Sequence, residues 1–248
     1  MMMKMKMNNL KFPCPLHVLI DGPSEQTETD AVMRMLVSSD LYDKAIYSAS
    51  IHIERCEDAV YDILKNKEIL RNIDEHLVYT STSLESTLIV LVQLTNIDPE
   101  PFLEMKSFNK VLQLLNYQME YNNYLNILDC LDNFVSSHEP EVIISLIENN
   151  LLDILIDGMN SDDDEEEWVL CGSILRECLS IEDVQNKLAN SFETLWGFLV
   201  HLSQIYQNVL VKMQSHVFLI CLCECIEHLT RNSEVSQIIR DKFPQLLL

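Results

Sequence analysis

Glycine and proline are scarce, at 4 and 7 of 248 residues. A turn-rich β-sandwich, a dinucleotide-binding sheet or a phosphate-cradling loop needs glycine for tight turns and close backbone approach. The composition therefore points away from all three. Basic residues are scarce too: 17 Lys and Arg stand against 39 Asp and Glu, a formal net charge of −22. A nucleic-acid groove needs clustered Lys and Arg, and an anionic membrane surface attracts the same. Neither direct nucleic-acid binding nor membrane binding is expected. No run of about 18 uncharged apolar residues occurs, so no membrane span is expected. The opening stretch MMMKMKMNNLKFPCP has no apolar block of about 7–15 residues followed by a small-residue cleavage site, so it does not read as a secretory signal.

What remains is 48% apolar and 23% charged, an ordinary globular balance. Most of the eight cysteines lie inside apolar runs, where a free thiol behaves as a small hydrophobe. An intracellular protein with reduced thiols is expected. Residues 1–28 read as a poorly ordered tail, and residues 29–248 as one helical repeat domain. From Thr29 onward apolar residues recur at three and four, as in Val32, Leu36 and Val37 or Val60, Ile63 and Leu64. No useful stretch alternates as a strand would. Asp98–Pro99 and Glu139–Pro140 read as helix starts, and Gly158 near Asn160 as a helix end. The acidic run Ser161 to Glu167 reads as a loop entering a helix near Trp168.

Internal repetition is the main signal. Four apolar blocks end in a small hydroxyl residue, at Thr95, Ser136, Ser180 and Thr230. Successive ends lie 41, 44 and 50 residues apart (95 to 136 to 180 to 230). After each comes a short segment and then an anchor: Phe108, Leu151, Phe192 and Phe243. Apolar pairs follow at three and four residues past each anchor: Val111–Leu112, Ile154–Leu155, Leu195–Trp196 and Leu246–Leu247. Each unit thus reads as short helix, middle helix, long helix. That period belongs to armadillo or HEAT arrays. One such unit cannot cover its own apolar face, and stacking the next one does. The expected fold is an all-α, right-handed superhelical solenoid of about four to five repeats, with a looser first unit over 43–78 and an incomplete last one.

Residues 57–70, EDAVYDILKNKEIL, and residues 83–98, SLESTLIVLVQLTNID, resemble a helix pair and the following helix of the beta-catenin-like protein 1 family, an armadillo family of the nucleus. The family's acid and aspartate in the last of these helices are replaced by Gln93 and Asn96. The unit from Tyr124 to Met159 resembles the family's next repeat, and Cys221 to Cys225 a later cysteine-bearing helix. The resemblance spans roughly residues 43–248 and the first half of the family's length. It implies a non-enzymatic scaffold in the nucleus, associated with splicing factors, that receives basic or nuclear-localisation-type segments of partner proteins. Without the resemblance, the cytoplasm is the expected compartment. The oligomeric state is left open.

The long helices of such an array line its inner surface. Counting three back from the hydroxyl ends gives Val92, Asn133, Glu177 and Glu227, with Asp129, Asp132 and Glu224 nearby. The candidate peptide-binding residues are therefore Asp129, Asp132, Asn133, Glu177, Glu224 and Glu227. They read either as an acidic ladder for a basic peptide or as a solvated face of an acidic protein. An importin-type groove needs Trp followed four residues later by Asn, but Gly172 stands at that distance from Trp168. Both tryptophans, Trp168 and Trp196, are expected in the core. Cys221 and Cys225 share a helical face that Cys223 leaves, and no second pair is present to complete a zinc site. Asp162 to Glu167 lacks the glycine and spacing of a calcium loop. No metal, cofactor or catalytic constellation is expected. Two rival readings stay open: an armadillo nucleotide-exchange factor for a heat-shock ATPase chaperone, and a helical hydrolase or phosphatase domain with a convergent polar pocket.

Overall fold

The computed structural model describes residues 25–53, 55–160, 165–212 and 215–247. The three-and-four spacing produces fifteen α-helices there, and no strand occurs among the described residues. Helix α1 spans Glu25–Val37, beginning inside the segment expected to be a tail; residues 1–24 lie outside the described residues. A 3-10 turn at Ser39–Leu41 leads into α2 (Tyr42–Ile53). The next unit is α3 (Glu57–Leu64), α4 (Lys67–Glu75) and α5 (Leu84–Ile97). Then follow α6 (Glu100–Glu104), α7 (Ser107–Leu114) and α8 (Tyr121–Val135). The third set is α9 (Pro140–Glu148), α10 (Leu151–Met159) and α11 (Glu165–Ser180). The fourth is α12 (Glu182–Ala189), α13 (Phe192–Lys212) and α14 (His216–Arg231). Helix α15 (Ser233–Lys242) is followed by a 3-10 turn at Pro244–Leu247, where the sequence suggests a middle helix.

The hydroxyl ends mark the long helices within two residues: α5, α8, α11 and α14 stop at Ile97, Val135, Ser180 and Arg231. The widening of the repeat to 50 residues is taken up by α13, which has 21 residues where α10 has 9. Each long helix packs on the next, from α2 through α5, α8 and α11 to α14, which is the layered order of a solenoid.

Local chemistry fixes the corners. The Asp98 carboxylate accepts the Glu100 amide at 3.1 Å in the turn between α5 and α6, and the N-cap of α6 is Pro99, one residue later than the expected Asp98. Asn66 and Asn232 are the side-chain N-caps of α4 and α15, each accepting two amides. Short and middle helices are joined by a single left-handed residue in two successive units: Lys106 (φ 60°) and Asn150 (φ 70°). Asparagine tolerates that conformation, whereas lysine occupies it at a steric cost.

The core is continuous along the array. Phe108 meets Phe134 edge-on at 6.4 Å, and Trp168 meets Phe218 at 6.1 Å across α11 and α14. Trp168 is buried as expected. Trp196 is not: 37% of it is exposed, and it rests edge-on against Phe243 at 5.1 Å. The apolar pairs show the same trend. Val111–Leu112 is wholly buried, but Trp196 and Leu247 each put the second member of a pair outside. Positions three and four past an anchor are 100° apart on a helix, so a narrower contact covers only one of them. Gly158 also differs from its expected part. It lies within α10, without a positive φ, and lets α10 and α11 close together.

Candidate binding face on the long-helix layer

On α2 the buried side is Tyr42, Ala45, Ile46, Ala49, Ser50 and Ile53. The opposite stripe begins at Asp43, whose carboxylate accepts the Thr82 hydroxyl at 3.1 Å just ahead of α5. Polar contacts link the long helices one to the next. Asn133 on α8 donates to the Val92 carbonyl at 3.3 Å and the Thr95 hydroxyl at 3.0 Å on α5. Arg176 on α11 reaches Glu224 on α14 at 3.3 Å.

Every candidate residue falls on a long helix: Asp129, Asp132 and Asn133 on α8, Glu177 on α11, Glu224 and Glu227 on α14. They are not equivalent. Asn133 is spent on bonds within the array. Glu177 and Glu224 are drawn together by Arg176, which holds Glu177 at 2.7 Å. Burial disfavours the Arg176 charge, but these two carboxylates outweigh it and hold the guanidinium more firmly protonated. Glu177 also faces His138 at 3.7 Å. Glu227 pairs with Arg231 one turn on, at 3.1 Å. That exposed pair holds its partners weakly, with about 0–1 kcal/mol.

Asp129 and Asp132 stand apart from these ion pairs. Both are half-buried, and burial raises both carboxyls above the usual aspartate range. The Glu166 charge adds to this at Asp129; at Asp132, Glu177 and Asp129 add to it, while Ser173 and Arg176 oppose it. The Oδ1 atom of Asp132 is enclosed without a hydrogen-bond partner. Between α8 and α11 an open cleft is lined by Asp129, Glu165, Glu166, Val169, Leu170 and Ser173. It joins carboxylates to an apolar wall, a surface that suits the methylene stem and charged head of Lys or Arg.

Arg176 and Glu166 were not among the sequence candidates. Arg176 was recoverable in principle, as a cation inside an acidic helix; Glu166 belongs to a charged run whose helix begins at Glu165 rather than Trp168. The acidic run read as a loop is divided: Glu165 to Glu167 form the first turn of α11, and residues 161–164 lie outside the described residues. Cys221 and Cys225 are buried and Cys223 is exposed, as helical spacing requires. Cys14 lies outside the described residues. No helix among the described residues is long and apolar enough to cross a membrane.

No protein-family model matches the sequence, and no curated protein matches it significantly. Solved structures do match. An engineered protein superposes with a TM-score of 0.66 at 12% identity, over 89% of this chain and 87% of its own. A designed armadillo repeat protein superposes with a TM-score of 0.62 at 16% identity, over 83% of this chain and 85% of its own. A further designed armadillo repeat protein, in complex with the peptide (KR)4, gives a TM-score of 0.64 at 16% identity, over 86% of both chains. The fold is thus an armadillo-type helical solenoid.

Proposed function

We propose that the chain is a non-enzymatic scaffold whose long-helix face receives a basic, extended segment of a partner protein. The carrying observation is the surface shared by α8, α11 and α14. It gathers Asp129, Asp132, Glu166, Glu177, Glu224 and Glu227, with Arg176 and Arg231 as cations among them. The complex of one structural neighbour with a (KR)4 peptide supports the same reading by analogy of fold. A preformed acidic surface would speed encounter and select partners by charge, and its advantage would fade with salt. The resemblance of residues 43–98 to the beta-catenin-like family extends the reading to nuclear splicing factors as partners.

The test is fluorescence anisotropy with a labelled peptide of four Lys-Arg repeats at low salt. Saturable binding that weakens at least tenfold in the double variant Glu177→Lys, Glu227→Lys supports the ladder. Affinity unchanged in that variant rejects it and returns these acids to a solvated face. A pull-down from the source cell separates the partner classes: splicing proteins support the nuclear reading, and heat-shock ATPases alone overturn it.

A further inference from the structure

Resting on the peptide-binding reading above, we infer that Arg176 is a specificity-determining residue: it parts the acidic face into two stations, so the segment that fits carries two basic clusters with a neutral gap between them. The first station is the α8–α11 cleft. Asp129, Glu165 and Glu166 line it beside Val169, Leu170 and Ser173, and none of these is a cation. The second is on α14, where Glu224 and Glu227 share one side of the helix by their spacing. Arg176 stands between the two. It follows Ser173 of the cleft by one turn on the same side of α11, and its guanidinium crosses to Glu224 on α14 at 3.3 Å. Glu227 shares its charge only with Arg231, an exposed side chain one turn further on.

The Arg176 cation is pinned. Its Nε and one Nη donate to Glu177 at 3.2 and 2.7 Å, and the other Nη donates to Glu224. A guanidinium held from two helices does not swing aside for a ligand. Its side chain is still 32% exposed, so the charge is presented at the surface. A Lys or Arg laid over this point meets a fixed like charge, and like-charge juxtaposition is what rejects a wrong partner. A neutral residue there meets no such penalty, while basic residues to either side meet carboxylates. The length of the gap follows from helix packing. From the middle of the α8–α11 cleft to α14 is one and a half helix-to-helix steps of about 8–10 Å each, a span of about 12–15 Å. An extended chain covers it in about four residues, at about 3.3 Å per residue, which leaves about three neutral residues between the clusters.

The experiment compares two labelled peptides of one composition, so that net charge cannot decide the result. One is gapped, Lys-Arg-Gly-Ser-Gly-Lys-Arg; the other is contiguous, Gly-Lys-Arg-Lys-Arg-Ser-Gly. In anisotropy at low salt the gapped peptide binds the full chain at least threefold tighter. Arg176→Gln abolishes that preference by strengthening the contiguous peptide, and circular dichroism confirms an intact fold. Arg176→Lys, which keeps the charge, keeps the preference. Equal affinities, or a tighter contiguous peptide, overturn the inference while the basic site stands. So does a preference that survives Arg176→Gln, and one lost in Arg176→Lys assigns the effect to packing rather than charge. Binding of neither peptide, or undiminished binding of both to Asp129→Asn with Asp132→Asn, overturns the underlying reading instead.

Discussion

Replacing Gly158 by alanine tests the packing of the array at its tightest point. In an exposed helix interior the change stabilises by about 1 kcal/mol, because glycine is the poorer helix former. Here a Cβ on Gly158 would stand 2.7 Å from the Cys171 Sγ, 3.1 Å from the Tyr124 hydroxyl and 3.2 Å from a Glu167 oxygen. The first distance is shorter than any carbon–sulfur contact a packed interior accepts, so α10 and α11 must part or Cys171 must turn. Overpacking of this kind costs about 1–3 kcal/mol. The shift also strains the bond in which Tyr124 donates to Glu167 at 2.9 Å, and hydrogen bonds to charged groups contribute about 1.5–3 kcal/mol. Set against the helical gain, the net expectation is a loss of about 2 kcal/mol. For a chain of this size that lowers Tm by roughly 4–8 °C. Thermal unfolding followed by circular dichroism reads this directly. The double variant Gly158→Ala, Cys171→Ala removes the sulfur and should recover about half of the loss, a coupling that a double-mutant cycle isolates. A stabilised single variant, or strictly additive effects, would refute the close approach of the two helices.

Other expectations concern charge and backbone. Arg176→Gln frees Glu177 and Glu224 from their cation, so a basic peptide should bind about two- to threefold tighter at low salt in anisotropy, with stability changed by under about 1 kcal/mol. Lys110→Met leaves the buried Asp74 carboxylate with only Ser107 of its two side-chain donors, both now at 2.7 Å, and should cost about 1–3 kcal/mol in urea unfolding. Lys106→Asn relieves the left-handed backbone there and should raise stability by about 0.5–1 kcal/mol in the same assay. Asp129 and Asp132 have folded pKa values above their unfolded ones, so the folded state holds the extra proton. Stability from these groups therefore falls as pH rises from the ordinary aspartate range through the raised values. Asp129→Asn with Asp132→Asn should accordingly raise Tm at pH 7 and lose that advantage near pH 4.

Helix placement was open to reading because it is local. Three-and-four periodicity, caps at Asn66 and Asn232, the turn at Asp98, and proline at Pro99 and Pro140 act within one turn. The repeat was legible for a related reason: each unit stacks on its neighbours, so the same apolar spacing recurs at Thr95, Ser136, Ser180 and Thr230. Counting from those ends found Asn133, Glu177 and Glu227, with Asp129, Asp132 and Glu224 taken as polar neighbours, and all six lie on the long helices. What counting could not supply was how they pair. Arg176 adds Glu224 to its neighbour Glu177 only because α11 and α14 lie side by side, 48 residues apart in sequence at that bond.

The sequence by itself determined an acidic, all-helical chain with a three-helix period, since composition and spacing depend on no distant partner. Tertiary structure alone decided that Asn133 is spent on α5, that Trp196 lies outside, and that Gly158 is a contact rather than a terminator. The physical reason is one of range. A helix forms from bonds four residues long, but the face it shows to solvent is whatever its neighbours in the stack leave uncovered.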